Sequence, residues 1–331
     1  MRAPEFWRAD ATGRDAAPMV RALLTPLSWI YAGVSATRIA ATTPQTAPVP
    51  VLCVGNVSMG GVGKTPLVRA IRARLAARGL VPHVVSRGHG GRLKGPVRVD
   101  PVVHDFRAVG DEPLLHARDG ATWIARDRAA GAAAAAAAGA HLVILDDGFQ
   151  NPTLRKDLSL VAIDAREGLG NGQVAPAGPL REPPRAAFAR ADAVVIVGPG
   201  DPPRFDPKQL NDRPILRATI EPAAAAPDGP LVAFAGIGRP EKFFDTLSAL
   251  GATLSETVPF ADHHPYTEQD LAFLETLASE RGARLVTTEK DHVRLPARAQ
   301  STILALPVTA RFADSAALDR LLDRLAAQVA P

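Results

Sequence analysis

The stretch Val54–Pro66, VGNVSMGGVGKTP, narrows what this 331-residue chain can fold into more than any other. It ends as a phosphate-binding loop of the form G-x-x-x-x-G-K-[ST] ends, in Gly63, Lys64 and Thr65. Such a loop needs a strand running in and a helix running out. Val51–Val54 is a continuous apolar run, and Lys64–Arg78 reads as a helix. The amides of Gly60, Gly61, Val62 and Gly63 can wrap a phosphate, and the helix start adds the positive end of its dipole. Lys64 is placed to reach the β- and γ-phosphates of a nucleotide, and the Thr65 hydroxyl to ligate Mg²⁺. Position 58 departs from the pattern, with serine where glycine is usual. That position shapes a turn, which a serine hydroxyl can also stabilise. ATPase switches with a deviant loop carry a lysine where this chain has Met59, so that signature is absent. The expected nucleotide-binding set is Ser58, Met59, Gly60, Gly61, Val62, Gly63, Lys64 and Thr65.

The loop sits in an alternating pattern. Strand-like runs at Pro82–Ser86, Leu142–Leu145, Leu158–Ile163 and Ala193–Val197 are separated by helix-length segments. Continuous Val/Ile/Leu strands spaced in this way predict a parallel sheet covered on both faces. The expected fold class is α/β, a P-loop NTPase-type three-layer αβα sheet with a second, smaller α/β lobe and an N-terminal membrane-associated helix. The expected divisions are 1–40 for that helix, 41–210 for the nucleotide core, 211–230 for an inter-domain connection with a strand at Ile215–Ile220, and 231–331 for the second lobe. The run HLVILDDGFQN ends a buried strand in Asp146 and Asp147. Carboxylates at the carboxyl end of a strand beside the loop are placed for Mg²⁺, directly or through water.

Composition excludes several classes. A net charge of +4, dispersed along the chain, is too small for a nucleic-acid binder and suits phosphate ligands or an anionic membrane surface. The single cysteine, Cys53, can form no internal disulfide and no cysteine-based zinc site, and its apolar run predicts a buried, inert thiol. Ala22–Thr37 runs 16 residues without a charge. It is short of the roughly 20 apolar residues of a membrane span. Trp29 and Tyr31, with Arg21 and Arg38 at its flanks, predict a helix lying in the membrane interface or a marginal anchor.

Together with five further motifs, the loop and the Asp146–Asp147 run stand in a recognisable order: GNVSMGGVGKTP, SRGHGG, VGDEPLL, LDDGFQN, PAGPLREP, FADHH and TTEKDHVRL. With PLSWIYAG at the start they make residues 20–325 resemble the lipid A 4′-kinase (tetraacyldisaccharide 4′-kinase) family. The serine at 58 fits that family's loop. His89 and Asn151 depart from it, where tyrosine and histidine are frequent. The resemblance implies ATP- and Mg²⁺-dependent phosphorylation of the 4′-hydroxyl of a tetraacylated glucosamine disaccharide 1-phosphate. It also implies a location at the cytoplasmic face of the inner membrane of Gram-negative bacteria, peripheral or with one N-terminal anchor, and no protein partner. Competing classes are an ATP-driven regulatory switch and a soluble small-molecule kinase or ligase. The apolar N-terminal stretch speaks against the second.

Phosphoryl transfer needs positioning and charge neutralisation more than covalent chemistry. The expected metal set is Thr65, Asp146, Asp147 and Glu182, and the expected catalytic set is Lys64, Arg181, Asp111 and His263. Arg181 would stabilise charge on the transferring group. Asp111 of VGDEPLL would take the proton of the acceptor hydroxyl, with His263 of FADHH orienting it or passing the proton on. Arg87, Arg92 and Lys94 suit a substrate phosphate or lipid headgroups, and no role follows for Thr287–Asp291. The loop reading predicts that Lys64→Ala nearly abolishes phosphate transfer from radiolabelled ATP, whereas Ser58→Gly stays close to the parent rate. Near-normal turnover by Lys64→Ala would sink the assignment.

Overall fold

The structure is a computed structural model, and it describes residues 4–329. Thirteen strands form two sheets among the described residues. In chain order they are β1 (Val51–Asn56), β2 (Pro82–Ser86), β3 (Val97–Arg98), β4 (Thr122–Ile124), β5 (Leu142–Asp146), β6 (Leu158–Asp164), β7 (Ala193–Val197), β8 (Ile215–Pro222), β9 (Pro230–Ala235), β10 (Thr253–Pro259), β11 (Arg284–Thr288), β12 (Leu304–Leu306) and β13 (Val308–Phe312).

The larger sheet has the order β13-β8-β7-β6-β1-β5-β2-β4-β3. It is parallel except at its two edges, where β13 and β3 run antiparallel to their neighbours. Every residue of β1, β2, β5, β6 and β7 is buried. That is the reason these strands read as unbroken apolar runs. On one face the helices Lys64–Ala76 and Ser315–Ala326 press Leu67, Ile71, Leu75, Leu318, Leu322 and Leu325 onto the sheet. On the other face lie Arg128–Ala137 and Pro184–Arg190. Ala132, Ala135, Ala187 and Phe188 fill that layer. The alanine run is therefore a close-packed helix, capped by the Asp127 carboxylate, which accepts from the amides of Ala129 and Ala130.

The smaller sheet, β10-β9-β11-β12, is parallel throughout. Phe234, Phe260 and Tyr266 meet edge to face on one side of it, with ring centroids 5.2–6.2 Å apart. The helix Glu268–Glu280 covers the same side through Leu271 and Leu274 and opens on a capping box between Thr267 and Asp270.

Two expected boundaries are corrected by the pairing. Residues 211–230 are more than a connection, because β8 pairs with β7 inside the larger sheet. Residues 231–331 do not all belong to the second lobe. The chain leaves β12, crosses the single residue Pro307, and returns as β13 to pair antiparallel with β8. The helix Ser315–Ala326 then packs on the nucleotide core, held also by Arg78 to Asp319 at 2.7 Å and to Asp323 at 2.8 Å. The second lobe is thus an insertion between two neighbouring strands.

The N-terminal helix is longer than the uncharged stretch and runs Pro18–Ala41 with Pro26 inside it. It leaves Met19, Leu23, Leu27, Ile30 and Val34 exposed at helical spacing on one side. Ser28 is its only buried residue, and the Ser28 hydroxyl accepts from the Ala177 amide at 3.0 Å. No described helix is long and apolar enough to cross a membrane.

The returning helix gives a direct test of the corrected boundary. Leu322 is fully buried against the nucleotide core. Leu322→Ala is expected to cost roughly 2–5 kcal/mol in urea unfolding of that core. An unchanged unfolding midpoint would place this helix outside the core.

Candidate functional site

The phosphate loop leaves the carboxyl end of β1, which lies between β5 and β6. That is a switch point of the sheet, where helices depart to opposite sides and leave a crevice. Gly63 takes φ +80° and caps the helix Lys64–Ala76, a conformation that glycine reaches without strain. Asn56, fully buried at the end of β1, braces the loop from inside. Its Nδ2 donates to the Ser58 carbonyl at 2.7 Å, and its Oδ1 accepts from Lys64 Nζ at 3.2 Å. Ser58 thus contributes a backbone carbonyl, which any residue could supply. Around Gly60 and Gly61 an added Cβ would meet nothing within 4 Å, so the loop's outer side is open. Thr65 is buried at the second helical position.

The neighbouring strand supplies the carboxylates. The β1–β5 register pairs Val54 with Asp146, and the Asp147 amide donates to the Val54 carbonyl at 3.0 Å. Asp147 has φ +54°, an uncommon left-handed conformation for a residue other than glycine. It stands 3.5 Å from Lys64 Nζ and 3.1 Å from Arg181 Nη1. Burial opposes its charge, but Lys64 and then Arg181 outweigh that and hold its carboxyl below the usual range. Asp146 is buried and meets His116 Nε2 at 2.9 Å through Oδ2, while its Oδ1 and His116 Nδ1 have no partner. A buried carboxylate oxygen without a partner is costly, and a cation or an ordered water would satisfy it.

These donors fit Mg²⁺. They are hard oxygens, namely the Thr65 hydroxyl, the free Asp146 oxygen and Asp147. Among the described residues no group of three or more His, Cys, Asp or Glu side chains could hold a metal ion by itself. Glu182 stands differently from the expectation that it joins the metal shell. Its buried carboxylate is taken up by Arg190 at 2.8 Å and by Gln150 at 3.1 Å, and Gln150 in turn donates to the Asn56 carbonyl at 2.9 Å. Arg181 is brought to Asp147 beside Lys64, within the loop's charge network.

Across the cleft, Asp111 opens the helix Asp111–Arg118 behind Gly110, so it is the first helical residue and not the cap. His263 comes from the loop after β10, and its Nδ1 lies 3.0 Å from Asp111 Oδ2. Burial opposes the Asp111 charge, but the His263 hydrogen bond and the charges of Lys290, His263 and Arg294 bring its pKa down to about 2. The same hydrogen bond raises His263 above its ordinary value. Lys290 Nζ reaches Glu112 at 2.8 Å. Burial works against that ammonium, but Glu112 and Asp111 overcome it and lift its pKa. Cys53 is buried, with burial pushing its thiol up to about 12, so it takes no part.

Sequence reasoning had not singled out Asn56, His116, Glu112, Gln150, Lys290 or Arg294. Asn56, Glu112, Gln150, Lys290 and Arg294 lie inside quoted motifs, so their neighbours were the available signal. His116 lies just beyond its motif, and only the fold brings it to Asp146.

Known proteins resemble this chain over nearly its whole length. The family described as Tetraacyldisaccharide-1-P 4'-kinase matches residues 20–327. The tetraacyldisaccharide 4'-kinase of Hyphomonas neptunium is 54% identical over 97% of both chains, and that of Maricaulis maris 50% identical over 97% of this chain and 96% of its own. Among solved structures, LpxK from Aquifex aeolicus in complex with ATP superposes with a TM-score of 0.77 at 27% identity, covering 92% of this chain and 99% of that one. The chain belongs to the tetraacyldisaccharide 4′-kinase family.

Proposed function

We propose that this protein transfers the γ-phosphoryl group of ATP to the 4′-hydroxyl of a tetraacylated glucosamine disaccharide 1-phosphate, with Mg²⁺, at the cytoplasmic face of the bacterial inner membrane. The observation that carries this reading is the meeting of Asp111 and His263 from opposite lobes at 3.0 Å, in the same chain as a complete phosphate loop.

In this reading the loop amides, Lys64 and Arg181 hold the phosphates and neutralise the charge that gathers as the bond to the β-phosphate breaks. Thr65, Asp146 and Asp147 would hold a Mg²⁺ ion, which would supply neutralisation of phosphate charge. The acceptor hydroxyl attacks the γ-phosphorus, a new O–P bond forms, ADP leaves, and the hydroxyl proton must go elsewhere. With its pKa at about 2, the Asp111 carboxylate is by itself a weak base. The imidazole of His263, raised by the same contact, is the stronger one. Asp111 therefore fixes the ring and offsets its positive charge, and the proton comes to rest on His263.

The exposed side of the helix Pro18–Ala41 supports the membrane part of the proposal. Leu23 is 77% exposed, Trp29 72% and Ile30 63%, on a helix that docks to the core through Ser28 and whose Arg38 donates to the Gln150 carbonyl. A row of this kind suits insertion among lipid headgroups. It would bring the cleft to acyl chains that never leave the bilayer.

Two outcomes test these roles. Asp111→Ala and His263→Ala are each expected to lower kcat by roughly 10²–10⁴-fold with ATP binding intact. The double variant should be little worse than the worse single one. The imidazole accepts a proton only when neutral, so kcat should rise with pH through a value above the ordinary His pKa of about 6.5. His263→Ala should erase that limb, and an unaltered pH profile would remove His263 from proton transfer. For the membrane face, Leu23→Glu with Ile30→Glu should release the protein from anionic lipid vesicles and raise KM for the lipid but not for ATP. Undiminished vesicle binding would show that this row serves another purpose.

A further inference from the structure

The motif TTEKDHVRL contains a buried ion pair outside the phosphate loop. Asp291 is fully buried and Arg294 is 3% exposed, with Arg294 Nη2 2.8 Å from Asp291 Oδ1. Between them they hold the two peptide groups that flank Gly236, in the segment that follows β9. Asp291 Oδ1 accepts from the Gly236 amide at 2.8 Å, and Arg294 Nη2 donates to the Gly236 carbonyl at 2.9 Å. A side chain at position 236 has no room, since its Cβ would stand 2.9 Å from the Ala261 carbonyl. The His263 amide donates to that same Gly236 carbonyl at 3.0 Å. Arg294 Nη1 reaches the carbonyl of the next residue, His264, at 3.2 Å. His263 itself has φ +57°, a conformation its own side chain disfavours and its surroundings must impose. The guanidinium also faces the other lobe, with Nε 3.8 Å from Asp111 Oδ2.

We propose that Arg294, oriented by Asp291, is a positioning residue that sets the Asp111–His263 pair, by clamping the turn that carries His263 and by facing the Asp111 carboxylate. The proposal rests on the reading of that pair as the proton acceptor. The motif is anchored to the nucleotide lobe through two adjacent residues, Glu289 and Lys290. Arg69, on the helix after the phosphate loop, donates to both Glu289 oxygens at 2.9–3.0 Å, and Lys290 pairs with Glu112 next to Asp111. The motif therefore ties the turn, the ion pair and the opposite lobe into one piece. A planar fork is required, because one guanidinium donates at once to the carbonyls of Gly236, His264 and Lys290 and to the Asp291 carboxylate.

The test is Arg294→Lys, which keeps a cation for Asp291 but cannot fork. It should melt close to the parent and bind ATP unchanged, with kcat lowered on the order of 10²-fold, as for a catalytic group displaced by about 1 Å. Placed in a His263→Ala background, Arg294→Lys should add little further loss, because its effect passes through that residue. If Arg294→Lys does not fold, the uncharged pair Asp291→Asn with Arg294→Gln carries the same comparison. Parent-level kcat, a loss that multiplies fully with His263→Ala, or parallel loss of ATP binding and turnover would each overturn the proposal. A harmless His263→Ala would instead sink the proton-acceptor reading beneath it.

Discussion

The parallel pairing of β1 with β5 is the constraint on which the rest depends. One strand delivers the phosphate loop and the other delivers two carboxylates, and the register puts both ends side by side. A slip of one residue would turn Asp146 to the opposite face of the sheet and take it from His116. Buried Asn56, Lys64 and Asp146, with half-buried Asp147, are tolerable only because each is met by a partner of opposite charge or by a hydrogen bond, one Asp146 oxygen excepted. The exception lies where a cation would sit.

What could be read from residues alone follows burial. The central strands are buried on both faces, and their unbroken apolar runs marked them with little error at the ends. β10 and β13 carry alternating or half-exposed residues and sit at sheet edges, so their local pattern resembles ordinary surface. The return of the chain through Pro307 has no local signature at all, because it depends on which strand is free to pair. The same division holds for the site. The phosphate loop is contiguous and was visible directly. The Asp111–His263 pair spans 152 residues in sequence and was reachable only through resemblance to a family. The partners Lys290 and Arg294 sat in a motif whose meaning appears once Gly236 and His263 are seen beside it.

The lobes are bridged by charge as well as by Val293, which is buried in one apolar cluster with Leu114, Leu115 and Ile124 of the nucleotide lobe. Arg239 reaches Asp164 and Glu167 on one side, while Arg69–Glu289 and Lys290–Glu112 lie on the other. The partly exposed Arg239 pairs contribute little individually and weaken with salt, whereas Lys290 and Glu112 meet where burial opposes both charges. The buried Asp291–Arg294 pair differs in kind. It lies within the second lobe, where breaking it would strand a charge.

The insertion of the second lobe between β8 and β13 has a consequence for synthesis on the ribosome. The strand that closes the edge of the larger sheet, and the helix Ser315–Ala326 that seals one of its faces, emerge after all four strands of the inserted lobe. Until then β8 presents an unpaired edge and Leu67, Ile71 and Leu75 lack part of their cover. The inserted lobe has all four strands of its own sheet available earlier. It can therefore be complete while the nucleotide lobe is still waiting, and its folding draws the ends of β8 and β13 together. The lobe that carries His263 thus also acts as an internal template for the one that binds the nucleotide.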